Sequence, residues 1–140
     1  MKPIVKFSRF LLAFLLLLGI LMILSPNAFA RPVNLLNILK QASINGILAI
    51  GMMFVILSGG IDLSVGSIVA LSGVVAAGFS HPGEYPLPVA VFLAGLTGSA
   101  VGLVNGAGVA YGRVSPFIVP LGTMTIVRGL ALLASHGQPV

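Results

Sequence analysis

Long apolar runs along this chain are separated by short clusters of Gly, Pro, Ser and charge. Uncharged runs of this length read as membrane-spanning helices, each needing about 20 mostly apolar residues. The pattern predicts an all-α, polytopic transmembrane helical bundle with about five spanning helices, at 10–24, 42–57, 63–79, 89–111 and 117–134. The stretch 46–79, GILAIGMMFVILSGGIDLSVGSIVALSGVVAAGF, organises the rest, and its polar interruption is SGGIDLS at 58–64. A charge at bilayer depth costs about 2.5–3.5 kcal/mol, so Asp62 requires compensation if the interruption lies there.

Residues 1–30 support two readings. Lys2, Lys6 and Arg9, an apolar centre, Pro26 and the small Ala28 and Ala30 fit a cleavable signal peptide. The apolar run is long for that, and further spans follow, which favours a retained first helix. The polar passage 31–41 reads as an interfacial turn or two, with Pro32 halting helix and Asn34 capping a new one. In the third helix Gly66, Ala70, Gly73 and Ala77 recur in steps that keep them on one narrow face. In the fourth, Gly98, Gly102 and Gly106 repeat every four residues. Both stripes suit close helix packing; Asn45 and Asn105 read as buried polar residues, Asn45 facing another helix or the headgroup region and Asn105 available to hydrogen-bond across its helix face. The loop SHPGEYPLP at 80–88 carries His81 and Glu84, too few groups for a metal or acid–base centre. In the fifth segment Pro120 and Gly122 are expected to bend the helix, and Arg128 lies deep within it.

Composition sharpens this picture. Apolar residues make up 58% of the 140-residue chain and charged ones 6%, which leaves no stretch for a separate soluble domain. The absence of cysteine excludes a disulfide framework and thiolate metal sites. The net charge of +5 comes from scattered Lys and Arg, a topology signal and not a nucleic-acid surface. Lys2, Lys6 and Arg9 favour a cytoplasmic start, which returns Arg113 to the cytoplasmic side after four crossings. Arg31 and Lys40 fall outside in that arrangement and count against it. No Gly-Lys-Ser/Thr phosphate loop, paired carboxylates or nucleophile with histidine is present, so the expectation is a non-enzyme without metal or cofactor.

The candidate site is the interruption itself: Ser58, Gly59, Gly60, Asp62, Ser64 and Ser67. Asp62 either caps the third helix, accepting the N–H of Ser64 or Val65, or lines a solute path. The serine hydroxyls either bond back to their own helix or meet a polyol. Gly59 and Gly60 supply permissive backbone for the break. Arg128 snorkels to an interface, lines a polar cavity or pairs with Asp62.

The string GMMFVILSGGIDLSVGSIVALSGVVAA closely resembles the signature region of the ribose-type sugar permeases of ATP-binding-cassette importers. The likeness extends through NLLNILKQASINGILAIG before it and YGRVSPFIVPLGTMTIVRGLALL after it. It implies a multi-pass inner-membrane transport subunit for ribose or a related monosaccharide. The implied partners are a cytoplasmic ATPase, a periplasmic sugar-binding protein, a second permease subunit and membrane lipid, with no nucleic acid. It also implies retention of the first helix. Such permeases are longer than this chain, which resembles their N-terminal half, residues 1–140 forming a partial permease domain from a truncated gene product or a fragment. The rival readings are a stand-alone secondary transporter or channel half, and a non-transporting membrane scaffold.

Overall fold

The computed structural model describes residues 3–80 and 85–138. Among these, every regular element is helical: α1 Pro3–Leu24, α2 Pro26–Phe29, α3 Pro32–Leu57, α4 Val65–Gly78, α5 Leu87–Ala110 and α6 Ile118–Ala134. The His81–Glu84 loop lies outside the described residues. The chain divides into two compact units, Met1–Ile47 and Leu48–Val140, and α3 contributes to both.

In the first unit Pro26 ends α1, and the short α2 turns beneath it through bonds from the Ala28 and Phe29 N–H groups to Ser25 O. Where an interfacial turn was expected at 31–41, α3 is already helical from Pro32. Proline suits the first helical position because its fixed φ is helical and its missing N–H would have had no partner. Asn34 therefore lies inside the helix and is not a cap acceptor. Its Nδ2 donates to Phe29 O at 2.9 Å, satisfying a carbonyl at the end of α2. Asn45, expected to be buried, is exposed, as is nearly all of α3, which buries no residue.

In the second unit α4 lies between α5 and α6 and packs on both. Its direction relative to each follows from the contacts. Ser64 meets Asn105 and Ile68 meets Gly98, so α4 and α5 are antiparallel. Asp62 shares a cavity with Pro120, while Ala70 and Val74 share another with Arg128 and Ala131, so α4 and α6 run in parallel. Pro120 sits in the first turn of α6, where no helical bond is lost, and so it starts the helix instead of bending its middle.

The small residues expected to pack helices divide into groups. A Cβ on Gly98 would lie 3.5 Å from Ile68 Cγ2 and Ser72 Oγ, so that glycine is a point of close approach between α4 and α5. Gly66, Gly73, Gly102 and Gly106 have nothing within 4 Å of such a Cβ. Ala70 is exposed and Ala77 half-buried. Gly66 and Gly73 thus make no close approach to another helix, Ala70 borders α6, and Gly102 and Gly106 leave space beside α5. A close contact the repeat did not flag is Gly108, whose added Cβ would meet Val119 Cγ1 at 3.0 Å across the α5–α6 pair.

α3 and α5 are long and apolar enough to cross a membrane, while the apolar stretch of α1 at Ser8–Leu24, α4 and α6 are shorter. Large apolar side chains point outward throughout, among them Phe54, Phe92, Leu103 and Ile126. So extensive an apolar exterior suits a lipid environment, where it carries no hydration penalty.

Candidate functional site

The glycine pair ends α3 in a defined way. Gly60 N–H donates to Val55 O and Gly59 N–H to Ile56 O, both at 3.0 Å, the paired bonds of a Schellman motif. That motif places its penultimate residue in the left-handed region, and Gly59 has φ of 83°. A side chain there costs about 1–2 kcal/mol, which is why glycine occupies it. Gly60 then passes close to Pro116, 3.7 Å from where its Cβ would be.

Beyond the turn the chain is tied by side chains. Asp62 Oδ1 accepts the Ser64 backbone N–H at 2.7 Å and the Ser64 hydroxyl at 2.5 Å. Ser64 Oγ in turn accepts from Asn105 Nδ2 at 2.8 Å, joining the break to α5. The direction of this relay follows from proton count. An ionised carboxylate only accepts and a hydroxyl has one proton to give, so Asn105 must present its amide NH₂ to Ser64. Its Oδ1 is then left buried without a partner. Ser64 is fully buried, and Asn105 is 7% exposed. Ser67, also buried, donates to Ser64 O at 2.8 Å, the back-bond typical of helix serines. The negative Asp62 lies just ahead of the positive end of the α4 macrodipole, a favourable placement.

Around this corner is a cavity of about 440 Å³, within the range of about 300–1,000 Å³ usual for small-molecule sites. Ser58, Gly59, Gly60 and Asp62 line one side, with Asn105, Gly102 and Gly106 of α5, Pro116, and Pro120 of α6 on the others. Ser64 and Ser67 are not among its walls; they anchor the helix start behind it. Ser58, on the cavity edge, donates to Val55 O at 2.7 Å and keeps its lone pairs for another donor. The walls are thus mostly apolar with a carboxylate, a hydroxyl and helix ends converging on them. That chemistry suits binding or passage of a small hydroxylated solute. Among the described residues no cluster of metal-ligating side chains occurs.

The structure separates other residues that the sequence allowed to meet. Arg128 is exposed, not buried, and lines a second cavity with Ala70 and Val74, whereas Asp62 lines the first. Among the described residues no ion pair joins them. Parallel packing of α4 and α6 is the reason: Asp62 lies ahead of the first turn of α4, while Arg128 lies past the middle of α6. Asn105 was legible as a buried polar residue, being the one side-chain amide in α5, but nothing in its spacing pointed to Ser64. The contributions of Pro116, Pro120, Gly102 and Gly106 to the cavity came from the packing alone.

The comparisons with known proteins bear on this corner. The chain is 46% identical over 135 residues to the ribose import permease protein of Bacillus subtilis, covering 96% of this chain and 41% of that protein. It is 48% identical over 133 residues to the ribose import permease protein of Escherichia coli K12, covering 95% of this chain and 41% of that protein. Identity to the D-allose transport system permease protein of the same strain is 41% over 117 residues, covering 84% of this chain and 36% of that protein. The chain thus spans about two fifths of the length of the curated relatives it matches. No solved structure matches it. The family model described as the permease component of branched-chain amino acid transport systems matches residues 34–139, taking in the interruption, the relay and all of α3 from Asn34 to the end of α6, and the chain belongs to that family.

Proposed function

We propose that this chain supplies membrane-spanning helices to the permease of an ATP-binding-cassette importer for ribose or a related monosaccharide. It does no covalent chemistry; a cytoplasmic ATPase, a periplasmic sugar-binding protein and a second permease subunit act with it. The observation that carries the reading is the cavity at the Gly59–Ser64 corner. A broken, polar segment is held there by α5 and α6 beside a space of about 440 Å³, within a chain similar to ribose, allose and arabinose permeases. Non-helical backbone is tolerated at membrane depth only where it is buried in protein or lines a cavity, and Ser58, Gly59, Gly60 and Asp62 line one here.

Helix lengths support placing the corner inside the bilayer. α4, at 14 residues, covers about 21 Å of a hydrocarbon core about 30 Å thick. The segment 58–64 makes up the remainder of that crossing. The chain crosses about five times with its N-terminus cytoplasmic, and the open Gly66 and Gly73 of α4 face the second subunit. Because the chain contains no cysteine, single cysteines introduced at Arg31, Tyr85, Arg113 and His136 report their side directly. A membrane-impermeant maleimide is expected to label 31, 85 and 136 from outside and 113 only after permeabilisation. Labelling of 113 in intact cells would overturn the orientation.

Transport is tested by uptake of labelled ribose, allose, arabinose and galactose in cells carrying the transporter with its natural partners. Uptake of one of these is expected to collapse on ATP depletion and to survive a protonophore that leaves ATP intact. Uptake that follows the proton gradient would identify a secondary transporter. No change in any uptake on deletion of the gene would identify a scaffold.

A further inference from the structure

We infer that the groove between α4 and α6 holds the phosphate of an anionic phospholipid headgroup, gripped by Arg128. A cavity of about 230 Å³ lies there, with Ala70, Val74 and Ala131 forming its apolar wall and Arg128, Ser135 and Gln138 its polar groups. Among the described residues its single charge is the guanidinium, and no carboxylate lines it. The chain has only two acidic residues to offer as counter-ion. Asp62 is engaged with Ser64 at the other cavity, and Glu84 lies outside the described residues.

Arg128 stands six residues before Ala134, the end of α6, a rise of about 9 Å, which a snorkelling arginine can largely span. That the same cavity includes Ser135 and Gln138, beyond the helix end, fits a guanidinium directed along the groove toward the membrane surface. Oriented that way, its cation also lies toward the negative end of the α6 macrodipole. A planar guanidinium binds phosphate through paired N–H donors, with the Ser135 and Gln138 side chains as further donors. The apolar wall decides the form of the phosphate. A free ion would be left against alanine and valine, whereas a lipid sets its headgroup at Arg128 and its acyl chain along Val74 and the exposed Leu132. Basic pockets between spanning helices bind anionic headgroups in this way. The inference stands on the groove alone and does not depend on which solute is carried.

The test is native mass spectrometry of the full chain in detergent, titrated separately with phosphatidylglycerol, phosphatidylcholine and inorganic phosphate. The chain is expected to retain one phosphatidylglycerol in preference to phosphatidylcholine. Arg128→Gln should weaken retention about tenfold, and Arg128→Lys should weaken it less, because lysine keeps the charge but loses the paired donors. Unchanged thermal stability of both variants without lipid would assign the loss to the site. Equal retention by wild type and Arg128→Gln overturns the inference. So does displacement of phosphatidylglycerol by millimolar phosphate, which would mark a free-anion site. Stronger lipid binding by Glu84→Gln overturns it too, because it would identify Glu84 as the occupant.

Discussion

At the N-terminal end of α4, Asp62, Ser64 and Asn105 form a row of short hydrogen bonds, and the carboxylate spends one oxygen on two donors from within the chain. Farther along the same helix, beside Ala70 and Val74, Arg128 faces a groove with no acidic wall among the described residues. Both are polar groups beside α4, yet one is satisfied from within and the other looks outward. The contrast separates two ways of keeping a charge in an apolar bundle. The internal relay fixes the geometry of a backbone break, and so its loss should appear as instability. The outward-facing arginine does nothing for the isolated chain, and its loss should appear only when its ligand is present.

The heaviest blow to the internal side of this comparison is Gly59→Val. A β-branched residue at φ of 83° should destabilise the protein by about 2–3 kcal/mol, read as a lower unfolding midpoint in detergent and loss of uptake. Ser64→Ala comes next. It removes the acceptor of Asn105 Nδ2 and one donor to Asp62, leaving the amide orphaned at both ends. A loss of about 1–3 kcal/mol is expected, and Asn105→Ala combined with it should cost little more, since the relay is already broken.

Asp62→Asn probes what the charge is for. The amide oxygen keeps the Ser64 N–H bond, so stability should fall by less than about 1 kcal/mol. If the carboxylate also serves the solute, uptake drops far more than stability does; normal uptake with Asn would leave turn formation as its whole role. The smallest effect is expected for Gly102→Ala and Gly106→Ala. Nothing within 4 Å obstructs the added methyls, and alanine favours helix by up to about 1 kcal/mol over glycine. Stability should hold or rise while uptake falls, because both methyls enter the larger cavity. Lower stability with normal uptake would show that these glycines serve packing after all.

The run of residues around Gly59–Ser64 made the break, the need for glycine and a bond to Asp62 from the N–H of Ser64 or Val65 legible from the sequence, because each is settled within a few residues; the structure selects Ser64. Left-handed backbone selects glycine, and a carboxylate two residues ahead of an N–H reaches it without help from elsewhere. Periodicity likewise exposed the apolar helices, since the side-chain pattern repeats with the backbone. It misplaced the start of α3, which begins at Pro32 and not behind an Asn34 cap, because a proline that ends one helix can also open the next.

The sequence by itself determined an all-helical, lipid-compatible chain with one costly polar corner, for hydropathy and local backbone chemistry depend on near neighbours only. Tertiary structure alone decided that Asn105 completes the corner, that Gly102 and Gly106 leave a cavity where Gly98 closes a contact, and that Arg128 lies apart from Asp62. Those outcomes depend on the direction and rotation of α4, α5 and α6 against one another. A stripe of small residues fixes how closely a helix can be approached, but not which helix approaches it.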